Sequence, residues 1–358
     1  MTDESTSRRR GRVRVAVLFG GQSGEHDVSL RSAQTVIGAL DPARYEVIPV
    51  GITRDGRWLT GGDPMSQLSA TSPLFLDDAS GFDPNQQAIT SAPGGLPQGL
   101  SGDIDVVFPV LHGPMGEDGT VQGLLELAGL PYVGSGVLGS SVAMDKWTSK
   151  QMLRASGVPT AAAALLARDD DPGVRPAPYP LVFKPRGEGS SNGVSIAHDA
   201  NEAAAAAAEA RRFDDDVIVE AYVAGREVTV AILDDRALAA MEVVPLGDEM
   251  HSYEVKYTPG REEFRLPAPL GDGYQATLDV ALAAHRALVA GPYGRVDLRV
   301  RDDGAAFVLE CNTLPGLHEL GWFPKMAQHS GIAFPDLIET ILDRADLHVR
   351  ETRRGGVA

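Results

Sequence analysis

Two acidic side chains near the end of the chain are predicted to face each other across a β-hairpin. The runs on either side of Asp303-Gly304 are rich in apolar residues, and this dipeptide favours a two-residue type I′ turn. With that turn at the tip, Asp297 faces Glu310 and Arg295 faces Asn312, all on one face. Opposed carboxylates repel unless a cation lies between them, and an amide adds a neutral oxygen ligand. The pattern indicates a divalent-cation site, with a solvated outer face as the alternative.

The other face of this hairpin is expected to form a wall of a hydrophobic core. Period-2 alternation assigns apolar side chains to it: Val296, Leu298, Val300, Phe307, Leu309 and Cys311. Cys311 is the single cysteine of the chain, so we expect a buried thiol and no internal disulfide.

Two lysines are candidates for binding phosphate groups. Lys184 ends a predicted strand directly before the glycine- and serine-rich loop 187–193, whose backbone N–H groups and hydroxyls suit a phosphate. The loop is not a Walker A motif, because no lysine closes it, and a plain turn is the alternative. Lys146 lies at a predicted domain junction and, taken alone, is typical of surface charge.

Several acidic residues lie in turns where a binding role and a structural role compete. Glu220 and Glu227 flank a turn between two predicted strands, where they suit ribose hydroxyls or an adenine amino group; exposed turn carboxylates are the alternative. Glu25 follows a strand and suits a substrate ammonium. Glu117 and Asp118 precede a predicted helix, and its dipole alone favours acids there.

The composition limits the class of protein. A length of 358 residues predicts two or three domains, and a net charge of −17 argues against a general nucleic-acid or membrane-surface binder. Local lysines and metal ions can still hold a nucleotide. The sequence contains no apolar run long enough for a membrane span, no secretory signal, and neither an HExxH nor a CxxC motif. We therefore expect a cytoplasmic protein without a zinc site.

Strands, glycine-rich loops and helices alternate in the first part of the chain, which predicts a parallel α/β domain with its ligand-facing loops at the strand ends. The predicted elements are strands Val13–Phe19, Val47–Ile52 and Val106–Leu111 and helices Val28–Leu40 and Gly119–Ala128, with a partly irregular insertion over 60–101.

The remainder of the chain predicts two α+β regions. The central one has a helix near Asp145–Ser156, a surface helix with Ala203–Ala210, and strands Leu181–Lys184, Val217–Val223 and Glu227–Leu233; the last carries the hairpin and a helix near Phe334–Leu342. The predicted divisions are a leader over 1–11, domains over 12–143, 144–234 and 235–346, and a tail over 347–358.

Eight segments, in order from about Val13 to Ile341, resemble the D-alanine–D-alanine ligases of the ATP-grasp superfamily. They are GGQSGEHDVS (20–29), LHGPMGEDGTVQG (111–123), MDK (144–146), KPRGEGSSNGV (184–194), EAYVAGREVTVAIL (220–233), EVKY (254–257), GRVD (294–297) and ECNTLPG (310–316). The resemblance implies a three-domain ATP-grasp architecture with an N-terminal parallel α/β domain.

The resemblance also implies a role for each candidate residue. ATP would contact Lys146, Lys184, Glu220, Ala221, Tyr222, Val223, Glu227 and Lys256. Two Mg²⁺ or Mn²⁺ ions would bind Asp297, Glu310 and Asn312. Glu25, Ser190 and Tyr257 would orient the first D-alanine near His112, with Lys256 and Tyr257 on a closing loop. Arg295 and the Gly316 N–H would stabilise an oxyanion, and Gly321 would border the second substrate.

The implied reaction joins two D-alanines through an acyl phosphate, releasing ADP and phosphate for peptidoglycan synthesis, in a homodimer. The chain departs from the family after Gly316: Gly321 stands where a serine usually holds the second substrate's carboxylate, and His318 stands where threonine is common. Tyr257 favours D-alanine as acceptor, but D-serine, D-lactate or another amino acid stays open. A nucleotide-binding protein without catalysis is disfavoured, since the lysines and metal ligands are all present.

Overall fold

The structure is a computed structural model that describes residues 11–72, 88–90, 104–170, 173, 175–246, 260–319 and 321–349, with backbone alone at 89 and 90. Lys256 and Tyr257 therefore lie outside the described residues, as do most of the predicted leader and tail. The described strands form three sheets, two of five strands and one of four. No helix in these ranges is long and apolar enough to cross a membrane.

The first sheet has the order β4-β3-β2-β1-β5, and its strands β2, β1 and β5 are parallel, as predicted. Successive side chains of β1 alternate between two hydrophobic cores, one on each face of this sheet. The elements are β1 (Val13–Gly20), α1 (His26–Ala39), β2 (Tyr45–Ile52), β3 (Trp58–Thr60), α2 (Pro64–Ser69), β4 (Ile89–Thr90), β5 (Val106–Pro109) and α3 (Thr120–Ala128). Part of the predicted insertion over 60–101 therefore has regular secondary structure. The Asp63 side chain caps the start of α2 there.

The second sheet is antiparallel, in the order β6-β9-β7-β8, and one helix covers it. That helix, α6, buries Ala203, Ala206, Ala207 and Ala210, the spacing of one helical face, so the predicted alanine helix lies on the sheet with its other side in solvent. The elements are α4 (Val137–Met144), α5 (Lys146–Ala155), β6 (Ala163–Leu166), β7 (Leu181–Pro185), β8 (Ser195–Ala197), α6 (Ala200–Ala210) and β9 (Val217–Ala221).

The third sheet is antiparallel in the order β12-β11-β10-β13-β14. Its elements are β10 (Arg226–Leu233), β11 (Arg236–Pro245), β12 (Glu262–Arg265), α7 (Gly273–Ala287), β13 (Tyr293–Val300), β14 (Ala306–Asn312), α8 (Trp322–His329) and α9 (Phe334–Leu342). The prediction that the strand at 227–233 completes the central α+β region is wrong. Val228, Val230 and Ile232 of β10 are buried in the core of this third sheet, and β10 pairs with β11 and β13. The exact domain limits stay a prediction.

The hairpin β13–β14 differs from the prediction at its turn and agrees with it at the end that carries Asp297 and Glu310. Arg301 and Ala305 close a three-residue loop with Gly304 at φ +82°, in place of the two-residue turn. A bulge then restores the register, so Asp297 faces Glu310 and Arg295 faces Asn312, as predicted. Between loop and bulge, Ala306 and Val308 enter the core and Phe307 and Leu309 do not, so the predicted face of those two residues is wrong. Cys311 is buried, as predicted.

Candidate active site

Two cavities meet beside the hairpin. The larger, about 540 Å³, lies between the first turns of α1, the loop after β5 and the segment that joins β14 to α8. The smaller, about 110 Å³, lies between the second and third sheets. Lys146, Glu188 and Glu310 line both. A molecule in one cavity is therefore adjacent to a molecule in the other at these three side chains.

A buried ion triad forms one wall of the smaller cavity. Glu220, the residue before the last of β9, has 1% of its surface exposed. Its two carboxylate oxygens each lie 3.1 Å from a lysine, Lys150 on α5 and Lys184 on β7. Burial acts against ionisation, but these two cations outweigh it and lower the pKa of Glu220. The Lys150 ammonium also donates to the Thr160 hydroxyl at 2.9 Å. Glu220 is thus an anchor for two lysines, one of which faces the cavity.

The opposite side of the smaller cavity is organised by an arginine. Arg299 faces Glu227 in the β10–β13 pair, and its guanidinium lies 3.3 Å from that carboxylate. It also donates to the Val223 carbonyl at 3.1 Å and lies 5.5 Å from the centre of the Tyr222 ring. These contacts fix segment 221–223 and hold Glu227 at the cavity wall. Arg299 was not predicted as a site residue from the sequence. It lies two residues after Asp297 on β13, so both side chains are on one face of the strand.

The carboxylates of the hairpin lie at the junction of the two cavities. Asp297 accepts hydrogen bonds from Thr229 at 2.6 Å, from Asn312 at 3.0 Å, and from two nitrogens of Arg295, each at 2.9 Å. Glu310 is freer: its carboxylate lies 3.8 Å from the Lys146 ammonium, which donates to the Glu188 carbonyl. A carboxylate offers about four lone-pair sites. Asp297 can therefore ligate a cation only if Arg295 or Asn312 releases it, whereas Glu310 can do so directly.

The donor set suits a hard divalent cation. Two carboxylates and an amide side chain share one face of the hairpin, and oxygen donors of this kind bind Mg²⁺ or Mn²⁺. Among the described residues no group of three or more His, Cys, Asp or Glu could hold a metal ion. An ion at Glu310 and Asp297 therefore needs the Asn312 oxygen and further oxygens, such as those of a nucleotide's phosphates.

Two side chains of the loop after β5 bind the backbone N–H and carbonyl of Leu314, in segment 312–316. The Glu117 carboxylate accepts from the Leu314 N–H at 3.1 Å and from the Gly113 N–H at 2.8 Å. His112 Nδ1 lies 3.0 Å from the Leu314 carbonyl, which can only accept, so Nδ1 carries the proton. Burial lowers the pKa of His112, so the imidazole is neutral and its Nε2 is an acceptor. These bonds set the position of the segment that carries Gly316.

Glu25 and Ser190 lie on different domains and line the same cavity. Glu25 precedes α1, and its Oε2 lies 3.2 Å from the point where a Cβ on Gly189 would stand. Ser190 has φ +51°, a left-handed conformation that serine rarely adopts, in the loop predicted to wrap phosphate. The structure thus brings Glu25 and Ser190 together as the resemblance implies.

The part of the larger cavity beside Gly321 is closed by a tight turn. The Gly321 N–H donates to the His318 carbonyl at 2.7 Å, and a Cβ on Gly321 would lie 2.9 Å from that oxygen and 3.0 Å from the Gly316 carbonyl oxygen. Trp322, the next residue, packs its ring against the Arg295 guanidinium, 4.9 Å from the ring centre. A side chain at position 321 would therefore require this turn to shift.

Comparison with known proteins identifies the family. The model for the D-ala D-ala ligase N-terminus matches residues 14–135, and that for the D-ala D-ala ligase C-terminus matches residues 171–343. A D-alanine–D-alanine ligase of Geobacter sulfurreducens is 40% identical over 343 residues, covering 94% of this chain and 96% of the relative. The chain belongs to the D-alanine–D-alanine ligase family. The resemblance drawn from eight sequence segments is thus confirmed.

Solved structures agree with this assignment. The D-alanine–D-alanine ligase of Bacillus anthracis in complex with ATP covers 93% of this chain and 97% of its own, at 28% identity and a TM-score of 0.70. The VanG D-Ala:D-Ser ligase of Enterococcus faecalis covers 93% of this chain and 99% of its own, at 29% identity and a TM-score of 0.78. The ATP-grasp fold predicted for this ligase is confirmed.

Every predicted site residue within the described ranges lines one of the two cavities. The larger is lined by Glu25, His112, Lys146, Ser190, Arg295, Glu310, Asn312, Gly316 and Gly321. The smaller is lined by Lys146, Lys184, Glu220, Ala221, Tyr222, Val223, Glu227, Asp297 and Glu310. Lys256 and Tyr257 lie outside the described residues. Asp118 caps the start of α3 by accepting from the Thr120 N–H, which is the structural role weighed for it.

Glu117 and Lys150 hold other site residues in position, and neither role was predicted from the sequence. The sequence offers only a weak indication for each: Glu117 lies beside His112 in the glycine-rich loop, and Lys150 lies one helical turn after Lys146. Their partners, Leu314 and Glu220, are distant in sequence, so local spacing alone does not reveal the contacts.

Glu117 is expected to make the stability of this ligase depend on pH. Burial and the nearby Glu25 raise the pKa of Glu117 from 4.5 to about 8. Between those values the folded state binds more protons than the unfolded chain, so the free energy of unfolding falls as pH rises. Urea unfolding at about pH 5.5 and about pH 8.5 should show a smaller difference for Glu117→Gln than for the unaltered protein. An equal difference in both would contradict the raised pKa.

Restoring a serine at position 321 is not expected to restore the family's usual acceptor site. The Cβ of Gly321→Ser would press on two backbone oxygens at 2.9 Å and 3.0 Å, so the turn must shift. We expect a loss of stability of about 1–3 kcal/mol and a higher KM for the second substrate. Gly38→Ser, where a Cβ would meet nothing within 4 Å, is the control for introducing serine into the chain. A stable Gly321→Ser variant with a lower KM would contradict this packing.

Proposed function

We propose that this ligase joins two D-alanines to D-alanyl-D-alanine, with ATP converted to ADP and phosphate, for peptidoglycan precursor synthesis. The observation that carries the proposal is the contact between the two cavities at Lys146 and Glu310. One cavity has the lysines and glutamates that suit a nucleotide, and the other has the polar groups that suit amino acids. A phosphate held at the junction is then within reach of an amino-acid carboxylate.

The smaller cavity is proposed to hold ATP. Lys184, fixed by Glu220, and Lys146, fixed by the Glu188 carbonyl, would bind phosphate oxygens. Segment 221–223 and Glu227 would contact adenine and ribose. One or two Mg²⁺ or Mn²⁺ ions held by Asp297, Glu310 and Asn312 would supply charge neutralisation on the transferring phosphoryl group.

The larger cavity is proposed to hold the amino acids. Glu25 and the unprotonated Nε2 of His112 both suit the ammonium of the first D-alanine. Arg295 and the Gly316 N–H face the same cavity and would stabilise negative charge on its carboxyl oxygens. Arg295 is restrained by Asp297 and by the Trp322 ring, so its guanidinium is held in place before substrate binds.

The proposed reaction has two steps within this closed volume. The carboxylate of the first D-alanine attacks the γ-phosphate, giving an acyl phosphate and ADP. The amine of the second D-alanine then attacks the acyl carbonyl, and phosphate leaves. Water would hydrolyse the acyl phosphate, so closure by the loop with Lys256 and Tyr257 is part of the proposal.

D-alanine is the acceptor that the curated relatives favour, since they carry the name D-alanine–D-alanine ligase. The alternative acceptors considered from the sequence, D-serine, D-lactate and another amino acid, are not favoured. We further propose that the protein is cytoplasmic, that it binds no nucleic acid, and that it acts as a homodimer, as the resemblance implies.

The test is an assay with purified protein, ATP, Mg²⁺ and D-alanine that follows phosphate release and dipeptide by mass spectrometry. We expect one phosphate for each D-alanyl-D-alanine formed. Parallel reactions add D-serine or D-lactate. Product that appears only with one of these acceptors would contradict the proposal, and phosphate release without any coupled product would contradict ligation altogether.

A further inference from the structure

Two cations at the acceptor end of the larger cavity have no carboxylate partner within the described residues. The side chain of Arg31, on α1, makes no hydrogen bond or ion pair there. Lys325, on α8, stacks its ammonium on the Phe264 ring, 4.2 Å from the ring centre, and makes no salt bridge. Both line the larger cavity. Two unpaired cations on one cavity wall favour an anionic ligand.

His318 lines the same cavity as both cations. Burial is the largest cause that lowers the pKa of His318, to about 4, and Arg31, His112 and Lys325 act in the same direction. The same elements lie close together: a Cβ on Gly316 would lie at ordinary van der Waals distance, 3.8 Å from the His318 ring and 4.0 Å from the Ser32 hydroxyl of α1. Helix α1 and the segment that leads to α8 therefore meet around His318, which is neutral and adds no charge to the pair.

The start of helix α8 adds to this positive region. Gly321 is its N-cap residue and offers no capping side chain, so the first backbone N–H groups of the helix are not capped by it. The helix dipole places partial positive charge at this end, beside the cavity. The serine that the family usually carries at this point, a donor to the second substrate's carboxylate, is absent.

One acid of the cavity, Glu262, acts on Lys325, and three others are engaged away from the two cations. Glu25 and Glu117 lie together by the first substrate's proposed position, close enough that Glu25 raises the pKa of Glu117. Asp27 is paired with Arg54 at 2.8 Å. Glu262 acts on Lys325 electrostatically without a salt bridge to it. Glu25 thus suits an ammonium, and the charges of Arg31 and Lys325, which together exceed that of Glu262, suit a carboxylate.

We propose that Arg31 and Lys325 bind the carboxylate of the second amino acid, in the role that the serine hydroxyl has elsewhere in the family. The inference rests on the proposed function, because it assigns the recognition of that reaction's acceptor. A cationic side chain forms a stronger hydrogen bond to a carboxylate than a hydroxyl does, so two cations compensate for the loss.

The experiment compares two acceptors that differ only in the carboxylate. D-alaninamide lacks the carboxylate and cannot be phosphorylated, so it competes with D-alanine only as acceptor, and mass spectrometry separates D-alanyl-D-alaninamide from the dipeptide. Arg31→Gln and Lys325→Met remove each charge with similar side-chain length. We expect each variant to raise the acceptor KM for D-alanine about tenfold or more, with a change below about twofold in the KM for ATP.

The decisive readout is the preference for D-alanine over D-alaninamide. It should fall about tenfold or more in both variants, while the rate of D-alanyl-D-alaninamide formation stays unchanged. Arg212→Gln alters an exposed arginine that lines neither cavity and should match the unaltered protein. An unchanged preference would overturn the inference, as would an equal loss with both acceptors, which indicates a structural role. If the unaltered protein makes neither product, it is the proposed function that fails.

Discussion

Glu310→Gln is expected to lower kcat about 100-fold or more while the protein stays folded. The side chain is 30% exposed at the junction of both cavities, opposite Asp297 and 3.8 Å from the Lys146 ammonium. Glutamine keeps the shape and one oxygen but removes the negative charge that a divalent cation and Lys146 require. Because the Glu310 side chain is partly exposed and makes no hydrogen bond to a neighbouring strand among the residues that the structure describes, the cost to stability should be small.

The measurement is kcat for phosphate release and for dipeptide formation, with urea unfolding in parallel. Glu209→Gln, on the outer side of α6, removes the same charge far from both cavities and should leave kcat unchanged. A dependence of kcat on Mg²⁺ concentration that shifts to higher values in Glu310→Gln would support metal binding. Full activity in Glu310→Gln at low Mg²⁺ would show that Glu310 does not bind the metal.

Glu220→Gln is expected to destabilise the fold by about 3–5 kcal/mol, the largest stability effect of any single change considered. Glu220 and Lys150 each have 1% of their surface exposed, and their charged groups lie 3.1 Å apart. Removing the carboxylate leaves the Lys150 ammonium buried with the Thr160 hydroxyl as a neutral partner. Lys184 loses its partner too, so binding of ATP should weaken as well.

A second substitution separates the charge effect from packing. In Lys150→Met/Glu220→Gln the uncompensated buried ammonium is gone, and we expect most of the lost stability to return. The free energy of unfolding in urea is the measurement for both variants, with ATP affinity from calorimetry. Binding of ATP should stay weak in the double variant, because Lys184 is still without its carboxylate. Equal stability of the single and double variants would contradict a buried charge as the cause.

Local sequence patterns predicted most elements of this ligase, because alternation and capping act over a few residues. Helix Phe334–Leu342 and the strands of the parallel layer lie where the sequence places them. The strand at 226–233 was predicted as a strand but assigned to the wrong sheet. Its alternating apolar residues show that one face is buried, but they do not show against which core, since both sheets offer an apolar surface.

The hairpin shows how two local errors left the predicted pairing intact. The loop at Gly304 holds three residues instead of two, and the bulge before Asp297–Glu310 compensates for the extra residue. The turn chemistry of Asp303-Gly304 suits both loop lengths. The bulge itself is favoured by the core, because it lets Ala306 and Val308 enter while Leu309 lines the smaller cavity.

The sequence by itself determined the family, the ATP-grasp fold and the residue types of the candidate site. The reason is that short segments in a specific order carry the residues on which each of these depends. Tertiary structure alone decided which of these groups are already paired. It joined Glu220 to Lys150, Asp297 to Arg295, and Glu117 to the Leu314 N–H, and among the described residues it gave Arg31 no partner at the proposed acceptor end. Burial and charge pairing depend on distances between distant segments, and only the packed chain fixes those distances.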